Sequence, residues 1–176
     1  MQTKEKNFEQ DIETFLLNEG GYLKGDQSTY DKKRAIDMPV LLQFIQNTQP
    51  KVWQRYVNLY GDKSSDQLYK VFQSDVAQYG LVHVLRNGVK DRGVAIKFCY
   101  FQPSSNLNQD LVERYHANIL QCTRQFAYST DNHNTIDMVF SVNGIPVVAL
   151  ELKNQLTGQS VDNAKHQFMY DRDPKE

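Results

Sequence analysis

Two carboxylates and an ammonium group lie close together near the end of the chain, at Asp137, Glu151 and Lys153. Asp137 belongs to one run of β-forming residues and the other two close the next run, with Asn143-Gly144 as a turn signal between the runs. Charged groups carried into a sheet are costly unless they pair or bind a metal. Carboxylate oxygens suit Mg²⁺, which usually takes one or two protein carboxylates together with phosphate and water. These residues therefore indicate a metal-dependent site for phosphodiester cleavage.

The register of this hairpin decides whether the two carboxylates can share a site. Side chains alternate between the faces of a strand, so a slip of one residue turns every side chain to the other face. If the turn were a two-residue loop at Asn143-Gly144, Asp137 would lie opposite Leu150. Its side chain would then point away from Glu151, and the sheet would separate the two carboxylates.

A three-residue loop gives the opposite outcome. In this alternative residues 142–144 form the loop, with a left-handed Gly144 in a bulge. Asp137 then lies opposite Ala149 and diagonal to Glu151, at a Cα separation of about 7–8 Å. The apolar residues of both strands then collect on the other face: Ile136, Met138, Phe140, Val142, Val148, Leu150 and Leu152. Because this pattern is regular, we predict the three-residue loop.

The residues around the hairpin resemble a known family. Asp137, followed across a short hairpin by Glu151-x-Lys153, resembles the core motif of PD-(D/E)XK nucleases. Residues 134–154, with their Asn-Gly-Ile-Pro and Glu-Leu-Lys-Asn strings, resemble the nuclease region of the restriction (R) subunit of type I restriction enzymes. The resemblance covers nearly the whole chain through further short strings: Gly20-Gly21-Tyr22, Tyr30-Asp31, Phe44-Ile45, Thr48-Gln49-Pro50 and Arg92-Gly93.

The resemblance implies a role for each residue of the motif. Asp137, Glu151 and the backbone carbonyl of Leu152 would bind Mg²⁺ or Mn²⁺. Lys153 would orient the attacking water and stabilise charge, since the neighbouring carboxylates favour its protonated form. Type I enzymes belong to restriction-modification systems. The resemblance implies the activity of a magnesium-dependent endonuclease that hydrolyses phosphodiester bonds of double-stranded DNA.

Two further residues are candidates for the same site. The family often carries a Gln-x-x-x-Tyr element on the helix after the motif, whereas Gln167 and Tyr170 are one residue closer here. Only Gln167 is therefore carried over as a catalytic residue. Related nucleases often supply an extra acid from their first helix, which makes Glu9 a candidate metal ligand, with a solvated flank as the alternative.

The charge balance limits how the chain can contact DNA. Twenty Lys and Arg residues against 21 Asp and Glu give a net charge of -1, so no global basic field attracts a polyanion. Contacts would be local. The candidates are Lys90, Arg92, Arg124 and the run at residues 32–34, although short charge runs are also common on ordinary solvated surface.

The length and composition predict one domain over residues 1–176, because 176 residues with 40% hydrophobic content can bury one core. Residues 1–92 are expected to be mainly helical, and residues 93–176 to carry the catalytic sheet and a closing helix. The predicted fold is α/β, a mixed central β-sheet flanked by helices with a helical N-terminal region, as in restriction-endonuclease-like proteins with the PD-(D/E)XK core.

Periodicity predicts the elements that position the motif. A first helix capped by Asn7 would bury a stripe of Phe8, Ile12, Phe15 and Leu16. Alternation predicts a first core strand over residues 93–101 and a second over residues 119–128. A last helix would begin at Ser160 or Asp162 and turn Val161, Ala164 and Phe168 toward the sheet.

Several functions are excluded or moved elsewhere. No glycine-rich Lys-Ser/Thr loop occurs, so ATP is expected only on a motor domain. Type I R subunits are longer chains in which the nuclease precedes an ATP-driven translocase, so we expect this chain to be an N-terminal fragment that works with modification and specificity subunits. No apolar run reaches about 20 residues and no signal core is present, so no membrane is expected and the predicted location is the cytoplasm.

Three alternatives stay open. The charged hairpin can be a sheet edge whose charges prevent pairing with other chains. The fold can be a catalytically silent module that binds DNA or another subunit. The chain can also be a nuclease of a repair system outside the type I enzymes.

Overall fold

A computed structural model of the chain describes residues 2–152 and 161–171. In chain order the elements are α1 (Gln2–Asn18), β1 (Leu23–Lys24), α2 (Met38–Thr48), α3 (Pro50–Tyr60), α4 (Ser64–Tyr79), α5 (Leu81–Asn87), β2 (Val89–Asp91), β3 (Val94–Ile96), α6 (Gln109–His116), β4 (Leu120–Ala127), β5 (Thr135–Val142), β6 (Ile145–Leu150) and α7 (Val161–His166). A 3-10 helix (Gly61–Lys63) precedes α4, and a π-helical segment (Gln167–Asp171) follows α7. None of the helices in these ranges combines the length and apolar character that crossing a membrane requires.

The chain divides into two compact units, Met1–Asp37 with Leu120–Glu176, and Met38–Ile119. Both α1 and β1 group with the sheet of the first unit, whereas the predicted helical part, residues 1–92, included them. The second unit in turn takes in residues 93–119, which were predicted to begin the sheet part. The single domain over residues 1–176 stays a prediction.

The first unit is built on a four-stranded sheet in the order β1-β4-β5-β6. β1 pairs in parallel with β4, and the other neighbours are antiparallel, so the sheet is mixed. α1 packs against β4 and β1. The predicted fold class is confirmed: the chain is mixed α/β, with a mixed central sheet flanked by helices.

One face of this sheet carries the aromatic core of the first unit. Phe126 and Met138 are buried on it. The ring of Tyr22 lies 5.6 Å from that of Phe140, and the ring of Tyr30 lies 4.7 Å from that of Phe126. Edge-to-face ring pairs of this kind add to the free energy gained by burying the rings. The face that carries Asp137 is therefore the other one.

α1 buries acids where an apolar stripe was predicted. Glu9 and Glu13 are only 4% and 6% exposed, whereas Phe8 and Phe15 are 53% and 59% exposed. The helix also begins before Asn7, which lies inside it and does not cap it. Both predictions are wrong. The buried acids have partners on β4, Gln125 for Glu9 and Arg124 for Glu13, and these contacts favour the observed rotation of the helix.

The second unit consists of α2 to α6 and the β2–β3 hairpin. Its core is formed by buried apolar side chains of the helices and of the segment that follows β3: Leu41, Phe44, Ile45, Tyr56, Leu68, Phe72, Val84, Ile96 and Phe98. The rings of Phe72 and Phe98 meet edge-to-face at 5.1 Å.

The long strand predicted over residues 93–101 is wrong, because β3 spans three residues and pairs with β2 in a separate sheet. Side-chain amides pair the backbone that follows. Gln49 donates to the carbonyl of Lys97 at 2.8 Å and accepts from its N–H at 2.9 Å. Asn118 does the same for Tyr100, at 2.6 and 3.2 Å. The two amides supply the partners that a neighbouring strand would otherwise provide.

Candidate functional site

The turn between β5 and β6 is a two-residue loop. Val142 pairs with Ile145, and the residues between them have positive φ angles, 52° at Asn143 and 79° at Gly144. These angles are those of a type I′ turn, for which Asn-Gly is favoured. The turn is buried, and the N–H of Asp37 donates to the carbonyl of Gly144 at 2.8 Å. The predicted three-residue loop is therefore wrong.

A bulge in β6 changes the register beyond this turn. Ser141 pairs with Pro146 but Phe140 pairs with Val148, so Val147 is an extra residue without a partner on β5. Proline has no N–H to donate to a ladder and occurs in sheets mainly at edges and bulges. Neither of the two registers considered from the sequence included this bulge.

The shifted register brings Asp137 to the segment that contains Glu151. Met138 pairs with Leu150. Continued by one position, this register sets Asp137 opposite Glu151, and opposite residues of an antiparallel pair point to the same face. Oδ2 of Asp137 accepts a hydrogen bond from the N–H of Leu152 at 2.7 Å. Both Asp137 and Glu151 are half-buried.

Of the two remaining predicted catalytic residues, one is described by the structure and the other is not. Lys153 is outside the described residues. Gln167 is half-buried at the start of the π-helical segment, and Tyr170 is exposed. Val161 was predicted to face the sheet, but this is wrong, because the first turn of the six-residue α7 is exposed to solvent.

The first helix contacts β4 through a hydrogen bond of Glu9. Its Oε1 accepts from Nε2 of Gln125 at 3.0 Å. Within residues 2–152 and 161–171, no group of three or more His, Cys, Asp or Glu side chains is placed to hold a metal ion. Glu9 is therefore not gathered with Asp137 and Glu151 as a third ligand. The apolar periodicity of α1 did not indicate that Gln125 is the partner of Glu9. The signal in the sequence was the polar pair Arg124-Gln125 inside an apolar strand.

Arg124 has a structural partner on α1. Its Nε lies 3.0 Å from Oε2 of Glu13, and the side chains are 28% and 9% exposed. The contact is a close ion pair whose angles are poor for a hydrogen bond. This pair and the Glu9–Gln125 bond border an open cavity of about 460 Å³ between α1 and β4. The ion pair argues against DNA contact by Arg124, which stays a prediction.

Lys90 and Arg92 lie on the β2–β3 hairpin of the second unit, and both are exposed. Arg92 and Gly93 form its two-residue turn, with φ angles of 45° and 78°. The guanidinium group of Arg92 lies 5.2 Å from the centre of the Tyr60 ring. A positive φ is unusual for arginine and is adopted more readily by Asn, Asp or Gly. Arg92 therefore has an unfavourable backbone conformation.

Two tyrosines hold the same hairpin beside its turn, at Asp91. The hydroxyl groups of Tyr56 and Tyr60 both donate to Oδ2 of Asp91 at 2.8 Å. Burial, together with this bonding to Asp91, raises the pKa of Tyr56 and of Tyr60. Burial also raises the pKa of Asp91, but the hydrogen bonds from Tyr60, Tyr56 and Gln67 and the charge of Arg92 outweigh it, so the pKa lies below its ordinary value.

The oxygen atoms at the end of the β5–β6 hairpin fit a hard divalent cation. Asp137 and Glu151 could provide two carboxylates, and Leu152, whose N–H is bonded to Asp137, could add its backbone carbonyl. Mg²⁺ usually takes only one or two protein carboxylates and completes its shell with water and substrate oxygens, so a third acid is not required. The donor set thus suits Mg²⁺ or Mn²⁺ better than softer metals.

A comparison with protein families matches residues 2–176 to the family described as type I restriction enzyme R protein N terminus (HSDR_N). The match spans nearly the whole sequence, and the chain belongs to this family. The mixed α/β fold is consistent with a restriction-endonuclease-like protein. Comparisons with curated proteins and with solved structures gave no significant match.

Proposed function

We propose that the chain is the nuclease domain of a type I R subunit and that it hydrolyses phosphodiester bonds of double-stranded DNA with Mg²⁺. The observation that carries the proposal is the register of β5 and β6, because it sets Asp137 opposite Glu151. Family membership supports the restriction-enzyme context. Together they favour a nuclease over a charged sheet edge.

The chain's own groups divide the work at this site. The hydrogen bond from Leu152 to Oδ2 holds the Asp137 carboxylate in one orientation and leaves Oδ1 as the metal-binding oxygen. Glu151 and the carbonyl of Leu152 would supply the other protein oxygens. A bound divalent ion lowers the pKa of water and offsets charge in phosphoryl transfer. These residues therefore set where the ion and the scissile phosphate meet.

Lys153 and Gln167 are the proposed polar partners of the reacting groups. Lys153 would orient the attacking water and stabilise the negative charge that develops on the phosphate. Gln167 is a second, uncharged group at the same site. Neither role depends on a third carboxylate, which agrees with the position of Glu9 against Gln125.

We propose the β2–β3 hairpin as a DNA contact. Backbone strain that persists at an exposed position is a reason to suspect function, and Arg92 shows it with a φ of 45°. The Asp91 and tyrosine cluster holds the hairpin in place, so that Lys90 and Arg92 are presented to the phosphate backbone without further ordering. With a net charge of -1, the electrostatic attraction to DNA would come from local contacts of this kind.

The wider assembly follows from the family. We propose that the chain works with modification and specificity subunits, that ATP is bound by a motor domain and not by these residues, and that the complex acts in the cytoplasm. Family membership favours this assignment over a repair nuclease outside the type I systems. The target sequence would be read by the specificity subunit.

The second candidate function is a silent module that binds DNA or a subunit. It is favoured by one observation, that no group of three metal-ligating side chains forms within the described residues. The two candidates differ in what a carboxylate does: a silent module keeps all of its function without Asp137, whereas a nuclease keeps its DNA binding and loses cleavage.

The test is plasmid cleavage by the R subunit assembled with its partner subunits, ATP and Mg²⁺. Asp137→Ala, Glu151→Ala and Lys153→Ala should each abolish cleavage and leave DNA binding and the melting temperature close to wild type. Asp131→Ala is the control, since Asp131 is an exposed carboxylate in the loop before β5. Cleavage by Asp137→Ala at the wild-type rate would reject the nuclease assignment in favour of the silent module.

A further inference from the structure

A chain of polar contacts runs from α1 through β4 to β5. Nε2 of Gln125 donates to Oε1 of the buried Glu9 at 3.0 Å. Oε1 of Gln125 accepts from Oγ1 of Thr135 at 3.1 Å. The two bonds use the amide in both directions, so they fix its orientation, and the side chain is held at each end by a different element.

The backbone at Gln125 is irregular at one position of a long ladder. Arg124 pairs with Met138 and Phe126 pairs with Ile136, so Gln125 falls opposite Asp137 without forming a regular pair with it. The φ angle of Gln125 is 48°, in the left-handed region that a residue with a Cβ rarely adopts. Such strained positions cluster at functional sites.

The place of the irregularity is informative because Gln125 accepts from Thr135, two residues before Asp137 on β5. The amide of Gln125 therefore joins Glu9 on α1 to the part of β5 that carries Asp137. Glu9 itself is 4% exposed, has one oxygen engaged by the amide, and belongs to no group of three metal-ligating side chains in the described ranges. This arrangement suits a residue that acts through its hydrogen-bond partner, Gln125.

We propose that Gln125 is a positioning residue of the metal site, and that its bonds to Glu9 and Thr135 fix the part of β5 that carries Asp137. The inference rests on the proposed function and deepens it. Glu9 acts through Gln125 and is not a metal ligand. Groups that orient metal ligands in this way change metal affinity when they are removed, although they never touch the ion. The strained φ of Gln125 keeps the amide between the helix and the strand.

The test is calorimetric titration of Mn²⁺ into the purified chain, with no substrate and no turnover. Glu9→Ala and Gln125→Ala should each weaken binding about tenfold, as removal of an orienting group does. Because the two residues act as one unit, the double variant should be no weaker than either single variant. The number of ions bound should stay the same in all of them.

Two further variants separate positioning from folding. Gln125→Asn keeps an amide and suits a positive φ better than glutamine does, but it is too short to reach Glu9. It should fold as well as wild type and still lose about tenfold in Mn²⁺ affinity. Gln121→Ala is the control, since Gln121 lies on the same strand and the same face, opposite Ser141, and should bind Mn²⁺ like wild type.

The outcomes distinguish the inference from the function on which it rests. If Asp137→Ala loses Mn²⁺ binding while Gln125→Ala and Gln125→Asn keep wild-type affinity, the positioning role is overturned and the nuclease site stands. If Glu9→Ala removes one bound ion, Glu9 is a ligand and the inference is also wrong. If wild type binds no Mn²⁺, the proposed function fails, and the inference fails with it.

Discussion

At the scale of single residues, acids in this chain are distinguished by what holds them. Glu13 is paired with the guanidinium group of Arg124, and Asp91 is held by tyrosine hydroxyls. Asp137 is instead held by a backbone N–H, that of Leu152, beside a second carboxylate. A backbone donor orients a carboxylate without neutralising its charge. Asp137 is thus the acid best prepared to bind a cation.

The pH dependence of stability should reveal Asp91 as a structural acid. Its pKa is lowered from 3.8, since the hydrogen bonds outweigh the effect of burial. A carboxyl with a lowered folded-state pKa stabilises the fold above its unfolded pKa, and the contribution is lost as the pH falls through the folded-state pKa. In urea unfolding, the free energy of unfolding of wild type should exceed that of Asp91→Asn by a constant amount above about pH 5. The difference should become smaller below about pH 4. A difference that does not change across this range would contradict the account.

At the scale of elements, the chain contains two hairpins with the same turn. Asn143-Gly144 joins β5 to β6 and Arg92-Gly93 joins β2 to β3, and all four residues have positive φ. Only the first turn is followed by a bulge, at Val147. The turn type alone would have separated Asp137 from Glu151, and the bulge reverses that outcome.

These two turns provide a matched pair of substitutions. Gly144→Ala and Gly93→Ala should each destabilise their unit by about 1–2 kcal/mol, because alanine is strained at positive φ; at Gly93 the added methyl group meets no atom within 4 Å. Only Gly144→Ala should also weaken Mn²⁺ binding, since its turn sets the register of the site. Chemical denaturation and calorimetry measure the two effects. Equal Mn²⁺ affinity in both variants would show that the site does not depend on this turn.

The hairpin also shows how far local sequence can lead. The second strand and the alternation of β5 follow from local patterns, so β4 was predicted within one residue at each end. The bulge beside Pro146 was not, because a proline in an apolar run fits an edge strand as well as a bulge. The pairing of Lys97 by Gln49 was also out of reach, since the two residues are 48 positions apart and side-chain partners at that distance leave no periodic signal.

At the scale of the whole molecule, the charge is nearly balanced, so the proposed binding of DNA would depend on a few local charges. The net charge is -1. Lys90 and Arg92 are exposed on a hairpin that is held beside its turn through Asp91, whereas Arg124 is paired with Glu13. Any affinity for DNA should therefore be weak, and its dependence on salt should be shallow, since the slope of log K against log salt grows by only about 0.9 for each phosphate contact.

Salt titration tests this distribution of charge. For nonspecific duplex DNA, Lys90→Ala and Arg92→Ala should each reduce the slope of log K against log salt by about one unit, as expected for the loss of one phosphate contact. Fluorescence anisotropy at several salt concentrations measures the slope. Lys51→Ala, an exposed lysine of α3 in the same unit, should leave the slope unchanged. An unchanged slope in the hairpin variants would remove this hairpin from the DNA interface.

The family assignment came from strings spread over the whole chain, which no single pattern of hydrophobicity could have provided. The division of the chain into two units was not predicted, because residues 1–37 join a sheet formed more than 80 positions later. Such long-range pairing depends on which edge of the sheet is free. The helical periodicity of α1 carries no information about that edge. The burial of Glu9 and Glu13, which depends on where α1 packs on the sheet, was therefore not predicted.

The most direct test of the central claim is the anomalous diffraction of a crystal of the chain soaked in Mn²⁺. The account predicts a single strong peak on the face of the sheet that carries Asp137, at bonding distance from the carboxylates of Asp137 and Glu151 and from the carbonyl oxygen of Leu152. Glu9 should lie outside that coordination shell. A peak bound elsewhere, or well-ordered carboxylates of Asp137 and Glu151 on opposite faces of the sheet, would contradict it.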